Sequence, residues 1–497
     1  MSILLLWPVP LLMVALGLIG GNWYWHLPTL LGGVHWGLDG VAQRLLLAIG
    51  LVWLVSLLVG RARYQQPRLW PWLLLAQLAS LLLPLALDLM SFYLAFVALG
   101  LSLYGVIRLC GGSRCSGVGR RYLVLMLVAD GLVLEASLPL VAASHGQLLL
   151  APLSAQLSQH PGAGLMLALG FALKAGALLG HGWLTALARR LPAPPLLLVS
   201  GLLLAAGLGG WLRLPGLIQG WAGLVIHILA LLALLATVGG ALNCRQRRPA
   251  QGWVVVSQVA LLMVLMTSAP QSDPALRLTS AAWLITQQPL LWLLACLPAA
   301  SGGRRLLWWL AALPWWALLP MLASGEPWLL LPTLLVSVAA AHAAAIGSPD
   351  DSLDRRQPAR VLLVTMAVAV AGQLAIVTPW LATQRGLTHL LGVGALWWLL
   401  AITAAAMVHR YGPRQWPKPL PEGDWLKVLV PPLLVAWDHM LKALASLDQP
   451  PAITLGRRHW PRRLLAKAAQ LESGLTGGVL ASVALLLVLI ALAIGWG

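Results

Sequence analysis

Apolar runs of about twenty residues, parted by short polar breaks, fill most of this chain. A helix needs about 20 apolar residues to cross the hydrocarbon of a bilayer, and on that rule about fifteen segments qualify. They lie near 2–20, 41–60, 70–87, 89–109, 121–143, 163–180, 194–213, 222–242, 252–270, 278–300, 306–323, 328–347, 360–382, 388–408 and 475–496. Little more than Asp88 separates the third from the fourth.

The breaks differ in charge. Arg61, Arg63 and Arg68 follow the second segment, Arg108, Arg114, Arg120 and Arg121 flank the gap after the fourth, and Arg189 and Arg190 follow the sixth. Arg245, Arg247 and Arg248 follow the eighth, Arg304 and Arg305 the tenth, and Arg355, Arg356 and Arg360 the twelfth. The alternate breaks hold only Arg213, Arg277 and Arg385. Cationic loops stay cytoplasmic, so this alternation supports the count and predicts a cytoplasmic N-terminus with the C-terminus outside. The first segment has neither a basic lead nor a small-residue cleavage site and reads as a retained span. The expectation is an all-α polytopic protein of a bacterial-type inner membrane.

From His409 to Gly474 the pattern leaves the membrane. PRQWPKPLPEGDW is a proline-rich turn region, Trp425–Leu447 has an apolar face interrupted by Pro431 and Pro432, and RRLLAKAAQLESGL is a second short amphipathic piece. Both read as interfacial helices on the cytoplasmic face, packed on the bilayer or against partner subunits.

Composition agrees: 60% of residues are hydrophobic and 9% charged, where a soluble domain carries about 25% charged. The net charge of +18 sits in the short loops, which makes it membrane anchoring and excludes nucleic acid as the partner. Cys110 and Cys115 flank a glycine-rich stretch, with Cys244 and Cys296 elsewhere. With no second Cys or His pair nearby and a cytoplasmic loop, neither a zinc site nor a disulfide is expected. No phosphate-binding loop, dinucleotide fingerprint or haem-ligand pair occurs, so no cofactor and no catalytic chemistry are expected in this chain. Many of the 26 tryptophans, such as Trp72, Trp308 and Trp397, sit at segment ends as interfacial anchors.

The informative polar residues lie inside the apolar runs. Lys174 sits in the middle of the sixth segment, where a lysine costs roughly 2.5–3.5 kcal/mol at bilayer depth and marks a functional site. Gly170, Gly176 and Gly180 surround it, which points to a broken helix lining a protein-enclosed path. Asp130 and Glu135 lie in the fifth segment, about 140° apart on a helix, so they cannot share a face and either one can partner Lys174. Glu326 precedes the twelfth segment as a channel residue or a loop carboxylate, and His181, His227, His342 and His389 are packing residues or proton relays.

Gly170, Phe171, Lys174, Ala175 and Gly176, followed by His181, Trp183, Leu184, Ala193, Pro194, Ser200, Gly207 and Arg213, form a pattern. It resembles the antiporter-like, proton-translocating membrane subunits of respiratory complex I and their relatives in Mrp antiporters and membrane hydrogenases. Leu38-Asp39-Gly40 resembles the start of the family's third helix, which leaves one helix fewer ahead of it, and Ser257 and Gln258 match a later motif. Three positions depart. Aligned on Leu103, Tyr104 and Gly105, the family's key glutamate is Val97; its second lysine is Ala205; and its central His and Lys are absent around Gln287 and Gln288.

The resemblance implies two inverted five-helix repeats with broken helices, here 70–214 and 215–350, after N-terminal helices in 1–69. Two further spans follow in 351–408, then the cytoplasmic segment 409–474 and a last span in 475–497. It implies a membrane subunit of a proton or sodium/proton translocating complex, of the kind attached to a quinone oxidoreductase or hydrogenase module, with antiporter-like paralogues as partners. The ion path would run through Lys174, Glu135 or Asp130, His181 and Glu326. A charge-stripped homologue that scaffolds active paralogues, and a membrane subunit of an inorganic-carbon uptake system, are the alternatives.

Overall fold

A computed structural model describes residues 6–19, 21–27, 33–177, 182–218, 220–244, 246–268, 274–295, 312, 314, 317 and 330–345. All of these fall in the first of two compact units, residues 1–412; the second comprises 413–497. The expected spans at 360–382, 388–408 and 475–496, the amphipathic segment and most of 306–323 lie outside the described residues.

The described chain is helical, in the order α1 (Pro8–Leu18), α2 (Gly40–Gly60), α3 (Trp70–Leu85), α4 (Leu89–Gly111) and α5 (Ser116–Ala143). It continues through α6 (Leu150–Gln156), α7 (Pro161–Ala175), α8 (Gly182–Arg190), α9 (Ala193–Arg213), α10 (Gly220–Asn243), α11 (Arg247–Ser268), α12 (Pro274–Ala295) and α13 (Leu330–Ala345). Seven of the described helices are long and apolar enough to cross a membrane.

The all-α expectation needs one correction. Between α1 and α2, strands β1 (Trp23–Leu27) and β2 (Val34–Leu38) pair antiparallel, with Trp25 opposite Trp36 and His26 opposite His35. Aromatic and β-branched residues suit this pleated ribbon. The span expected at 2–20 is also shorter than read: its helix Pro8–Leu18 has 11 residues, about 16 Å of rise against about 30 Å of hydrocarbon.

Asp88 explains why two helices stand where the hydropathy is almost continuous. It is the N-cap of α4: its Oδ1 accepts the Ser91 N–H at 2.7 Å, and its Oδ2 accepts both the Ser91 hydroxyl at 2.6 Å and the His35 N–H of β2 at 2.9 Å. One buried carboxylate therefore starts a helix and pins the hairpin to it. Asp39 has the same role at α2, accepting from Ala42 N–H, and pairs with Arg213 at the end of α9, whose guanidinium also donates to the Pro84 carbonyl of α3. This joint ties the ends of three helices.

The core is α9, with 94% of its apolar window buried. It packs on α2, α7 and α12. Glycines make those approaches close. A Cβ at Gly207 would stand 2.4 Å from the Phe171 carbonyl oxygen and 2.7 Å from the Ala175 Cβ, and one at Gly201 would meet Val52 at 2.8 Å. The helix that bears Lys174 is thus seated directly on the most buried helix of the bundle.

Candidate functional site

The helix carrying Lys174 stops inside the bundle. At Gly176 the backbone turns to φ +75°, a left-handed conformation that glycine alone adopts without strain. The Gly176 N–H donates to the Leu173 carbonyl at 3.2 Å and the Ala177 N–H to the Ala172 carbonyl at 2.8 Å, a Schellman closure of α7. The Trp183 indole of α8 donates to the same Leu173 carbonyl at 3.2 Å, so the far side of the break caps the near side. Lys174 occupies the last turn of α7, where the helix dipole favours a cation.

Lys174 is fully buried, and its ammonium has three partners. It donates to Asp130 Oδ1 of α5 at 2.6 Å and to the Phe96 carbonyl of α4, and it lies 3.4 Å from the centroid of the Phe96 ring. A buried charge is tolerated only when paired and hydrogen-bonded, and here a carboxylate, a carbonyl dipole and an aromatic face share the work. Asp130 offers one oxygen to the lysine; its Oδ2 is buried and receives no hydrogen bond from the described residues.

Glycines set this geometry as well. At Gly170, one turn before Lys174, a Cβ would press on Val133 and on the Ala129 carbonyl at 2.9 Å, so the glycine brings α5, and Asp130 with it, onto α7. At Gly100, one turn after Phe96, a Cβ would lie 3.3 Å from Lys174 Cε and Nζ. The missing side chain opens α4 so that a lysine can reach its carbonyl. The Gly100 carbonyl itself accepts from the Tyr122 hydroxyl at 2.9 Å.

The chain has three phenylalanines, and all three meet here. Phe171 packs edge-on against Phe92 and Phe96, with ring centroids 5.8 and 5.7 Å apart. They make an apolar box, one wall of which, the Phe96 ring, lies against the ammonium of the charge pair. Phe96, Gly100 and Tyr122 were not singled out in the sequence, although Phe96 adjoins Val97, the position where the resemblance expects a glutamate. Val97 is half-buried, and the carboxylate that Lys174 meets is Asp130 of the neighbouring helix α5.

Of the five residues proposed for the ion path, the structure brings Lys174 and Asp130 together. Glu135 is exposed on another face of α5, so as partner of Lys174 it is corrected: the 140° separation sends it outward when Asp130 points in. His181 and Glu326 lie outside the described residues. Ala205 is buried in α9, and Gln287 and Gln288 are buried in α12, the latter with neither amide atom bonded to the described residues. His227 bonds to Thr267 at 2.9 Å in the wall of a cavity of about 1250 Å³, which Asp39, Arg44, Trp211 and Arg277 also line. Neither Lys174 nor Asp130 lines that cavity.

Cys110 in the last turn of α4 and Cys115 in the α4–α5 connection are free thiols. Burial pushes the Cys115 thiol up, partly opposed by Arg190.

Comparison with known proteins places this architecture. The family described as NADH:quinone oxidoreductase/Mrp antiporter, transmembrane, matches residues 86–280, which include α4–α11 and with them Phe96, Asp130 and Lys174. A chain of respiratory complex I from Thermus thermophilus aligns at 21% identity with a TM-score of 0.62, covering 80% of this chain and 93% of that one. A chain of the Mrp complex from Dietzia sp. DQ12-45-1b aligns at 17% identity and TM-score 0.66, covering 95% of this chain, which spans 60% of that chain's length. A chain of the membrane-bound sulfane sulfur reductase, an archaeal respiratory membrane complex, aligns at 15% identity and TM-score 0.61, covering 95% of this chain and all of that one. At these identities the structures share the fold. No curated protein sequence matches.

Proposed function

Because this chain is a member of the antiporter-like membrane subunit family of complex I and Mrp-type complexes, we propose that it carries protons, alone or in exchange for sodium, through the Lys174–Asp130 pair within a multi-subunit membrane complex. The observation that carries this reading is the asymmetry of the pair. The ammonium has a second acceptor in the Phe96 carbonyl, and the carboxylate keeps a spare oxygen.

Such a pair can work as a switch. A proton arriving on Asp130 Oδ2 neutralises the carboxylate and removes the main attraction on the ammonium. The Phe96 carbonyl and ring keep the lysine bound in the dry box, or it passes a proton on and returns as an amine. His181, seven positions after Lys174 and beyond the helix break, is the candidate acceptor by sequence position. The family's glutamate function is thereby moved from α4 to α5. On the same reading, 70–214 and 215–350 form the two inverted repeats, and the chain lies in an inner membrane beside antiporter-like paralogues.

Proton flux in proteoliposomes of the assembled complex tests this. Lys174→Met and Asp130→Asn are each expected to lower the flux at least about a hundredfold, the lower end of the range for losing one proton-transfer group. Unchanged flux in both, with the complex intact, would sink the proposal. A scaffold role is the second reading, favoured by Val97, Ala205, Gln287 and Gln288, since none of these side chains can take up and release a proton at ordinary cost.

A further inference from the structure

The outward face of α5 poses a problem that the inward face has solved. Glu135 is exposed, and so are Leu127, Leu134 and Leu138, at 52%, 43% and 57%. Together with Gly131 they form one stripe at spacings of three and four residues. At Gly131, one turn before the carboxylate, a Cβ would stand in open space.

The depth of Glu135 makes the stripe unusual. The 28 residues of α5 rise about 42 Å. Centring about 30 Å of hydrocarbon on that length puts its limits near Arg120 and Pro139. Glu135 then lies about 8 Å, one and a half turns, from the midplane and still within the hydrocarbon, on a face that otherwise carries leucines and Gly131. Among the described residues nothing pairs with it. Lys174 is on the other side of the helix and bound to Asp130, and Arg120 is fifteen residues away, about 22 Å along the axis. A carboxylate facing lipid at this depth is strongly unfavourable, and such residues face protein or water.

We infer that this stripe of α5 is the seat of a transmembrane helix from a neighbouring membrane subunit, which places a lysine, arginine or histidine opposite Glu135. Charge complementarity selects the occupant: an anionic side chain in hydrocarbon is satisfied by a cation at the same depth. Gly131 supplies the notch through which that helix comes close, as small residues do at helix contacts in membranes. The inference is independent of whether Lys174 and Asp130 conduct, because it rests on the opposite face of the helix.

The test uses the chain in its native complex, with a photoreactive benzoylphenylalanine at Leu138 and, as control, at the exposed Leu232 of α10. The expected result is an adduct from position 138 that maps to a membrane-spanning helix of another subunit bearing a basic residue at that depth. Glu135→Lys is expected to cut that adduct and the retention of the subunit at least about tenfold, the scale of losing a desolvated charge pair, while Glu135→Asp retains both. Should the lysine variant fail to insert, Glu135→Gln keeps the shape, removes the charge and is expected to lose most of the adduct. Adducts with lipid alone, with residues 413–497 of the same chain, or with a helix lacking a basic residue would overturn the inference. So would full retention of the subunit in Glu135→Gln. Flux measured on the same variants separates this interface from the conducting role.

Discussion

Replacing Asp130 by alanine while Lys174 remains is expected to destabilise the folded chain by about 3–5 kcal/mol, because it strands a fully buried charge without its counter-ion. The double variant Asp130→Leu with Lys174→Met is expected to recover most of that loss, and to unfold no earlier than wild type. The reason lies in the box around the pair. Lys174 is fully buried, the Phe96 ring lies over it with Phe171 and Phe92 packed behind, and apolar side chains of similar volume fit such a place at little or no cost. Unfolding of the purified complex in detergent, followed by denaturant titration, measures both. If the single variant melts with the wild type, the pair is wetter than its burial indicates. If the double variant is as unstable as the single, the phenylalanine box does not tolerate an apolar filling. Stability restored without flux would separate what holds the fold from what moves the proton.

A valine at Gly207 is expected to be nearly as damaging, although it touches no charge. Its Cβ would stand 2.4 Å from the Phe171 carbonyl oxygen and its branches would run into Ala175, backbone and side chain of the helix that carries Lys174. A clash with backbone cannot be relieved by a rotamer change, so α9 and α7 must part. Overpacking of this kind costs about 1–3 kcal/mol and occasionally more. Because α9 is the core helix, the expected readouts are reduced accumulation of the chain in the membrane and a lower unfolding midpoint. Gly239, whose Cβ would meet nothing within 4 Å, is the control: Gly239→Ala is expected to be neutral or slightly stabilising. Equal behaviour of the two variants would mean that the α7–α9 approach is looser than described.

Much of this was legible in the chain. The hydropathy pattern located α2 to α5 and α9 to α11 within a few residues of their bounds, and the glycines beside Lys174 marked the place where α7 breaks. The partner of Lys174 was half legible. The angular separation of Asp130 and Glu135 showed that only one could face Lys174, but choosing between them needed the direction of α5 relative to α7, and that is set by the contact of Gly170 with Ala129 and Val133. Sequence spacing holds no such information. The hairpin was missed because its ten residues look like an ordinary connection in a hydropathy profile, although WYWHL and VHWGL have the aromatic and β-branched content of paired strands. The Phe96 carbonyl could not have been found at all, since a backbone acceptor has no signature in a side-chain pattern.

The central claim is that Asp130 gains and loses a proton while Lys174 stays within reach. Infrared difference spectra of the assembled complex, recorded between acidic and alkaline buffer and repeated with Asp130→Asn, test it most directly. A carbonyl stretch of a protonated, water-excluded carboxylic acid that is present in the wild type and absent from Asp130→Asn is the expected result. A wild-type complex that conducts protons with no such band from Asp130 would contradict it, and would make the Lys174–Asp130 pair a fixed bond of the fold.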